Sequence, residues 1–285
     1  MGSPTVREAG YDHALDRFLN VFADHDEQWA GGLHREVAAR LVTLAGPTSG
    51  ESCLDIGGGA GDVAAALGEA VGPSGSVVSL DISERSVELA RARAGPNMHL
   101  MRMSADDVIF RDRTFDVVVL SKSIAYASDA VAVIGEAIRT LKTGGRLALF
   151  CRRRGLATRA EEAFLDELNA FVRHQPVTVP DRFLGYPGLA DRRDLDPALR
   201  AAGLDHITFG DVVTGGRATD VAAFDREMMR CWPAARILLE ALAGTKRLQF
   251  DARIEAAMRE LGDDALRYHH PYLLASGIKT GPAVG

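Results

Sequence analysis

Residues 51–83 read ESCLDIGGGAGDVAAALGEAVGPSGSVVSLDIS, and this stretch decides the fold. Its apolar run of Cys53, Leu54 and Ile56 carries one carboxylate, Asp55, and breaks into the glycine cluster Gly57, Gly58, Gly59 and Gly61. Apolar residues then recur at Val63, Ala64, Leu67, Ala70 and Val71, the spacing of one helix face. The order predicts strand, tight turn, helix. Glycines let the turn backbone approach a bound molecule closely, and the helix behind them aims unpaired N–H groups and its positive dipole end at the same place. A second apolar run, Val77, Val78, Ser79 and Leu80, ends in Asp81. That acid lies about twenty residues past the glycines, where α/β nucleotide folds keep a ribose-binding carboxylate.

Working outward, the pattern predicts strands at 53–56, 76–81, 98–103 and 115–120, with helices at 61–71 and from Ser83, as N-cap, to about Ala94. The run at 115–120 is continuously apolar, as a parallel strand covered on both faces requires. A helix over 129–141 ends at Lys142-Thr143-Gly144-Gly145, and RLALFC supplies a fifth strand. Further helices are expected over 157–172 and from an Asp196-Pro197 cap to about Gly203, with strands at 206–213 and 272–279. Two amphipathic helices, over 11–23 and after Gly31-Gly32, precede the first strand. The expected fold is α/β: a doubly wound, mostly parallel, seven-stranded Rossmann-like sheet, with ligands at the carboxyl ends of its strands. Residues 1–50 form an N-terminal helical lid, 51–213 the core, 214–271 a helical insertion serving as substrate lid, and 272–285 the last strand and tail of one domain. A connection as long as 214–271 far exceeds the usual few residues, so it is expected to have a purpose.

The 285 residues are 47% apolar, enough for a sizeable core, and the formal charge of -6 gives no electrostatic reason to seek nucleic acid or an acidic membrane. The N-terminal segment has no apolar run of signal length and no stretch is long enough to span a bilayer, so the expected setting is the cytoplasm. Cys53, Cys151 and Cys231 are scattered, which favours free thiols over disulfides, and no residues show metal-ligand spacing. The sequence sets no oligomeric state.

By themselves the glycines leave two cofactors open. Gly59-Ala60-Gly61-Asp62-Val63-Ala64 fits the looser G-x-G-x-x-A of a nicotinamide site. The glycines at alternate positions 57, 59 and 61, the acid Asp55 inside the strand end and the lack of a second phosphate turn suit a sulfonium amino-acid nucleoside better. The ordered blocks LDIGGGAGD, VVSLDIS, MSADDVIFRDRTFDVVVLSKS and LKTGGRLAL resemble the class I S-adenosylmethionine-dependent methyltransferases, in particular the small-molecule branch of the quinone-biosynthesis enzymes. The resemblance covers about residues 50–151. It implies S-adenosyl-L-methionine as cofactor, S-adenosyl-L-homocysteine as product, and a small-molecule substrate. It also implies that Gly57, Gly58, Gly59, Ala60 and Gly61 wrap the methionine part, Asp55 supports its ammonium, Asp81 takes the ribose hydroxyls and Ile82 packs on the adenine. Ser104 and Ala105 stand where the family meets the adenine edge, with Asp106 as a substitute contact. Ser121 stands near the methionine backbone, and Tyr11 at an aromatic lid.

The chemistry implied is in-line displacement, in which alignment and exclusion of water supply most of the acceleration. A base is required only for an acceptor that must lose a proton; His25 and Tyr126 are the candidates, with His269 and His270 also considered. Lys122 and Arg152-Arg153-Arg154 leave strands at the ligand edge and are read either as solvated charges or as partners of an anionic substrate. Met228, Met229 and Trp232 are read as core or as pocket wall. Two other function classes stay open at this level: a cofactor fold retained for cyclisation or rearrangement, and a non-catalytic binding partner.

Overall fold

The computed structural model describes residues 33–121, 123–125, 127–172, 189–232, 235, 236, 239, 242 and 244–281. Two compact units emerge. The first comprises Met1–Cys151, Pro187–Asp211 and Leu273–Gly285; the second comprises Arg152–Tyr186 and Val212–Tyr272.

In the first unit, α1 (Leu33–Ala45) leads into β1 (Ser52–Ile56), α2 (Asp62–Val71), β2 (Ser76–Asp81), α3 (Glu84–Arg91), β3 (Met98–Arg102) and β4 (Phe115–Ser121). A single 3-10 turn, Ser123–Ala125, precedes α4 (Ala130–Thr140) and β5 (Leu141–Arg152). The expected Ser83 cap is realised, its hydroxyl accepting the Ser86 amide, although α3 stops at Arg91 and the chain continues in turns. Asp129 caps α4 in the same way. β5 starts at Leu141, earlier than the glycines suggested: Lys142–Gly145 form an irregularity within the strand, Phe115 pairing with Leu141 and Val117 with Arg146.

The strand order is β3-β2-β1-β4-β5-β7-β6, where β6 is Leu204–Arg217 and β7 is Arg267–Lys279. β1 to β5 pair in parallel. Between β6 and β7 the contacts run in opposite directions, from Gly203 with Thr280, through Thr208 with Ser276, to Ala218 with Leu266, so β7 is antiparallel to its neighbour. The sheet is therefore mixed and mostly parallel. Both strands run further than the patterning predicted, each carrying residues of both units.

Alternating side chains of β4 show why the run at 115–120 had to be apolar. Val117 and Val119 pack with Leu41, Val63 and Leu67 of α1 and α2, whereas Val118 and Leu120 pack with Ile134, Ala137 and Ile138 of α4. Leu195 and Leu199 of α6 (Arg192–Ala201) join the latter layer. That helix corrects the sequence expectation, since its cap is Asp191 and Pro197 lies inside it.

In the second unit, α5 (Arg159–Val172), α7 (Val221–Cys231) and α8 (Gly244–Leu261) enclose a core rich in rings. Phe164 stands edge-on to Phe224 and Phe250, with centroids 6.1 and 5.6 Å away. No helix among the described residues is long and apolar enough to cross a membrane.

Candidate functional site

β1, β2 and β4 end side by side, with Ile56 in register with both Leu80 and Leu120, so the acids that close β1 and β2 meet the glycine turn. Gly57, Gly59 and Gly61 have φ of 77°, 55° and 89°, the left-handed region that favours glycine. The turn is fastened from behind, both the Gly57 and Gly58 amides donating to the Leu80 carbonyl at 2.8 and 2.9 Å. A Cβ on Gly58 would fall 2.0 Å from Ser79 Oγ and 2.6 Å from Asp55 Oδ2, whereas one on Gly59 would meet nothing within 4 Å among the described residues. Gly58 is thus packed against protein, and no described residue packs against the Cβ position of Gly59.

Asp81 accepts the Gly59 amide on Oδ2 at 2.9 Å and the Ser83 amide on Oδ1 at 2.8 Å. These two bonds orient the carboxylate, one on each oxygen. Asp55 is fully buried and accepts Ser79 Oγ at 3.1 Å and Ser121 Oγ at 2.8 Å. Burial pushes its carboxyl up to about 7, against the two hydroxyls that favour the anion. Ser121 therefore directs its hydroxyl at Asp55. Ile82 is half-buried, its carbonyl accepting Arg102 Nε at 3.1 Å, and the Ala60 carbonyl accepts Arg93 at 2.7 Å.

Beyond β3, Ser104 Oγ accepts the Asp106 amide at 3.3 Å, and Ala105 packs against the core between them. The Asp106 carboxylate holds Ser128, accepting its hydroxyl at 2.8 Å and its amide at 3.3 Å, which clasps the loop after β3 to the one after β4. Sequence reasoning missed Ser123. Its Oγ is buried with no hydrogen-bond partner among the described residues, and a Cβ on Gly57 would lie 2.5 Å from its Cβ. A lone serine in a loop carries no pattern that could have marked it. Tyr11, His25, Lys122 and Tyr126 lie outside the described residues.

In the second unit, Met228 and Trp232 are core, with Met229 packed against it. The Arg152 guanidinium lies 4.2 Å above the Trp232 ring and 3.5 Å from Glu161, whose carboxyl is raised by burial. Arg153 is tied by its amide to the Pro271 carbonyl at 2.9 Å. His270 is buried with Nε2 3.3 Å from Glu227. Cys53 and Cys151 are buried free thiols, and burial pushes both up to about 12, which makes them inert. Among the described residues, no group of three or more His, Cys, Asp or Glu is placed to hold a metal.

A family model described as a methyltransferase domain matches residues 53–145. The ubiquinone/menaquinone biosynthesis C-methyltransferase UbiE of Pseudomonas putida is 28% identical over 213 residues, covering 70% of this chain and 83% of the relative. Among solved structures, a protein from Bacillus halodurans described as a putative methyltransferase superposes with a TM-score of 0.58 at 17% identity, over 86% of this chain and 99% of that one. The [4+2]-cyclase SpnF gives a TM-score of 0.52 at 17% identity over 87% and 81%. At that identity both structures speak for the fold alone. The residues present fit an S-adenosyl nucleoside: among the described residues, Gly59 leaves open space beside an oriented Asp81, and Ser123 holds an orphaned hydroxyl beside Gly57.

Proposed function

From the premise that the chain is a class I S-adenosylmethionine-dependent methyltransferase resembling the quinone-biosynthesis enzymes, we propose that it methylates a small, largely apolar ring metabolite in the cytoplasm. When bound, S-adenosylmethionine supplies a methyl carbon made electrophilic by its sulfonium. In this reading Asp81 and the turn from Gly57 to Gly61, with Ala60 at its tip, hold the nucleoside and methionine parts, and Ile82 covers the adenine. Asp55 answers the ammonium charge, and Ser104 and Ala105 border the adenine edge. Ser121 keeps Asp55 in place from behind. The single observation that carries the reading is the Asp81 carboxylate fixed by one turn amide and one helix-start amide, with open space at Gly59 among the described residues. We assign acceptor selectivity to residues 214–271, a connection far longer than the usual few residues. Tyr11, His25 and Tyr126 keep their proposed roles as lid and proton-handling residues.

Calorimetry with S-adenosylhomocysteine tests the reading. Asp81→Ala leaves ribose hydroxyls unpaired, at about 1–3 kcal/mol, so binding should weaken by roughly 10- to 100-fold. Tight NADH binding with no response to the sulfonium nucleoside would overturn it. Because the fold is shared with a protein described as a cyclase, the activity assay should follow transfer of a labelled methyl group rather than loss of acceptor.

A further inference from the structure

We propose that the Ser123 hydroxyl binds the α-carboxylate at the amino-acid end of the sulfonium cofactor, a group that the glycine turn itself is not built to take. The proposal rests on the methyltransferase reading and adds to it the donor for one charged group of the cofactor.

A turn that cradles an anion does so with unpaired backbone N–H groups. In this turn the amides of Gly57 and Gly58 both donate to the Leu80 carbonyl, at 2.8 and 2.9 Å. The Gly61 amide donates to the Gly58 carbonyl at 3.0 Å, and the Gly59 amide to Asp81 at 2.9 Å. These donors are committed to the protein. Placing a carboxylate on them would break the bonds that hold the turn and its acid in shape, so the turn offers close approach of glycine backbone but the anionic end needs a donor from elsewhere.

Most hydroxyls at these strand ends are committed too. Ser79 and Ser121 donate to Asp55, and Ser128 donates to Asp106. Ser123, in the 3-10 turn after β4, differs from them: its Oγ is buried with no hydrogen-bond partner among the described residues. An unmet buried hydroxyl is a standing cost, and recruiting this one to a ligand breaks no bond in the free protein. The serine as a whole is only half-buried, and its hydroxyl turns on a single bond with other staggered positions to take up when a ligand arrives.

Its place in the fold selects the amino-acid end. β1 lies between β2 and β4, with Ile56 in register with both Leu80 and Leu120. Asp81 closes β2 on one flank of the turn. Ser123 follows β4 on the other flank, so close that a Cβ added to Gly57 would lie 2.5 Å from its own Cβ. Asp55, on β1, stands between the two. A nucleoside whose ribose is held at Asp81 has its amino-acid end towards Asp55 and Ser123. Asp55 answers the ammonium there, whereas a carboxylate beside a buried acid is repelled unless a donor meets it. A hydroxyl meets that need without a charge of its own, and its bond to an ionised acceptor is stronger than one between neutral groups.

The test compares two ligands by calorimetry on the full chain: S-adenosylhomocysteine, and S-adenosyl-3-thiopropylamine, which keeps the ammonium and lacks the carboxylate. Wild type should bind the amine roughly 10- to 100-fold more weakly, the scale of a hydrogen bond to a charged group. Ser123→Ala should lose S-adenosylhomocysteine affinity by a similar factor yet bind the amine as wild type does. Ser123→Cys, close in shape but a much weaker donor, should follow Ser123→Ala, and melts of the unliganded variants report that they are folded. Unchanged S-adenosylhomocysteine affinity in Ser123→Ala overturns the proposal. So does an equal loss for both ligands, which would place the serine at the ammonium or in the packing of the turn. Failure of wild type to bind either ligand would instead strike the methyltransferase reading, because that result does not depend on Ser123.

Discussion

The Gly59 amide donates to Asp81 Oδ2 at 2.9 Å, so the turn and the Asp81 carboxylate are one unit before any ligand arrives. That bond needs the Gly59 backbone at φ 55°, a conformation in which an L side chain is strained by about 1–2 kcal/mol. Gly58 beside it has a different constraint, the close approach of Ser79 and Asp55. The two alanine variants should therefore part company. Gly58→Ala overpacks a closed site and should lower stability by about 1–3 kcal/mol. Gly59→Ala places its methyl where no described residue packs and should lose S-adenosylhomocysteine affinity at least tenfold for a smaller change in melting temperature. Thermal melts and calorimetry on both variants check this, and a Gly59→Ala protein that binds normally would show that the ligand lies elsewhere.

Asp55 sets a pH dependence whose sign can be worked out. Burial raises its carboxyl to about 7, so between about pH 4 and 7 the folded chain holds a proton that the unfolded chain has released. Stability from this group is present below pH 4 and falls as pH rises towards 7, by an amount of order a few kcal/mol. A ligand ammonium near the carboxylate offsets that loss. The melting-temperature gain from S-adenosylhomocysteine should accordingly be larger at pH 8 than at pH 5.5, and Asp55→Asn should flatten the pH profile of the unliganded protein. A gain independent of pH in wild type would separate Asp55 from the ammonium.

Lys279 offers a prediction confined to stability. Its Nζ donates to the carbonyls of Ile138, Arg139 and Leu141 at 2.6, 3.2 and 2.7 Å, closing the carboxyl end of α4 with a charge of the favourable sign. Lys279→Met leaves those carbonyls short of a donor and should cost about 1–3 kcal/mol, or roughly 2–4 °C per kcal/mol in melting temperature. Cofactor affinity should be unchanged, because this cap sits at the start of β5, whereas the glycine turn lies at the strands' other ends. A melting temperature equal to wild type would reduce the cap to a surface contact.

The same residue shows where sequence reading stops. Strand, turn, helix and the acids at 55 and 81 were legible because each follows from local spacing: an apolar run, glycines at left-handed positions, a cap such as Ser83 three residues ahead of its target amide. The start of α6 was misplaced because Asp196-Pro197 imitates a cap, while the true one, Asp191, lies in a run of charges. The outer halves of β6 and β7 were not legible either. Their pairing is between residues about fifty apart or more, and His269, His270 and Pro271 read locally as a break. Asp81 could be read from the sequence; that its carboxylate is already held by Gly59 and Ser83 could not. Nor could the Lys279 cap, which joins positions about 140 apart.

Ser121 and Ser123 are two residues apart and should respond in opposite ways. Ser121 donates to Asp55 Oδ1 at 2.8 Å, one of two hydroxyls that favour the buried anion. Ser121→Ala removes that help, should raise the Asp55 carboxyl further, and should weaken S-adenosylhomocysteine binding most near neutral pH, where Asp55 must give up its proton. Ser123 is different, since its hydroxyl is buried without a partner among the described residues while its Cβ closes on the Gly57 turn. An unpaired buried hydroxyl is a cost of about 1–3 kcal/mol in the free protein, so Ser123→Ala should leave the unliganded melting temperature unchanged or raised. If the hydroxyl serves the ligand, the same change should lower the melting-temperature gain on adding S-adenosylhomocysteine, at every pH alike. Melts of the two variants with and without ligand at pH 5.5, 7 and 8 separate the cases. A Ser123→Ala protein that is destabilised when free and binds normally would place that serine in the packing of the turn.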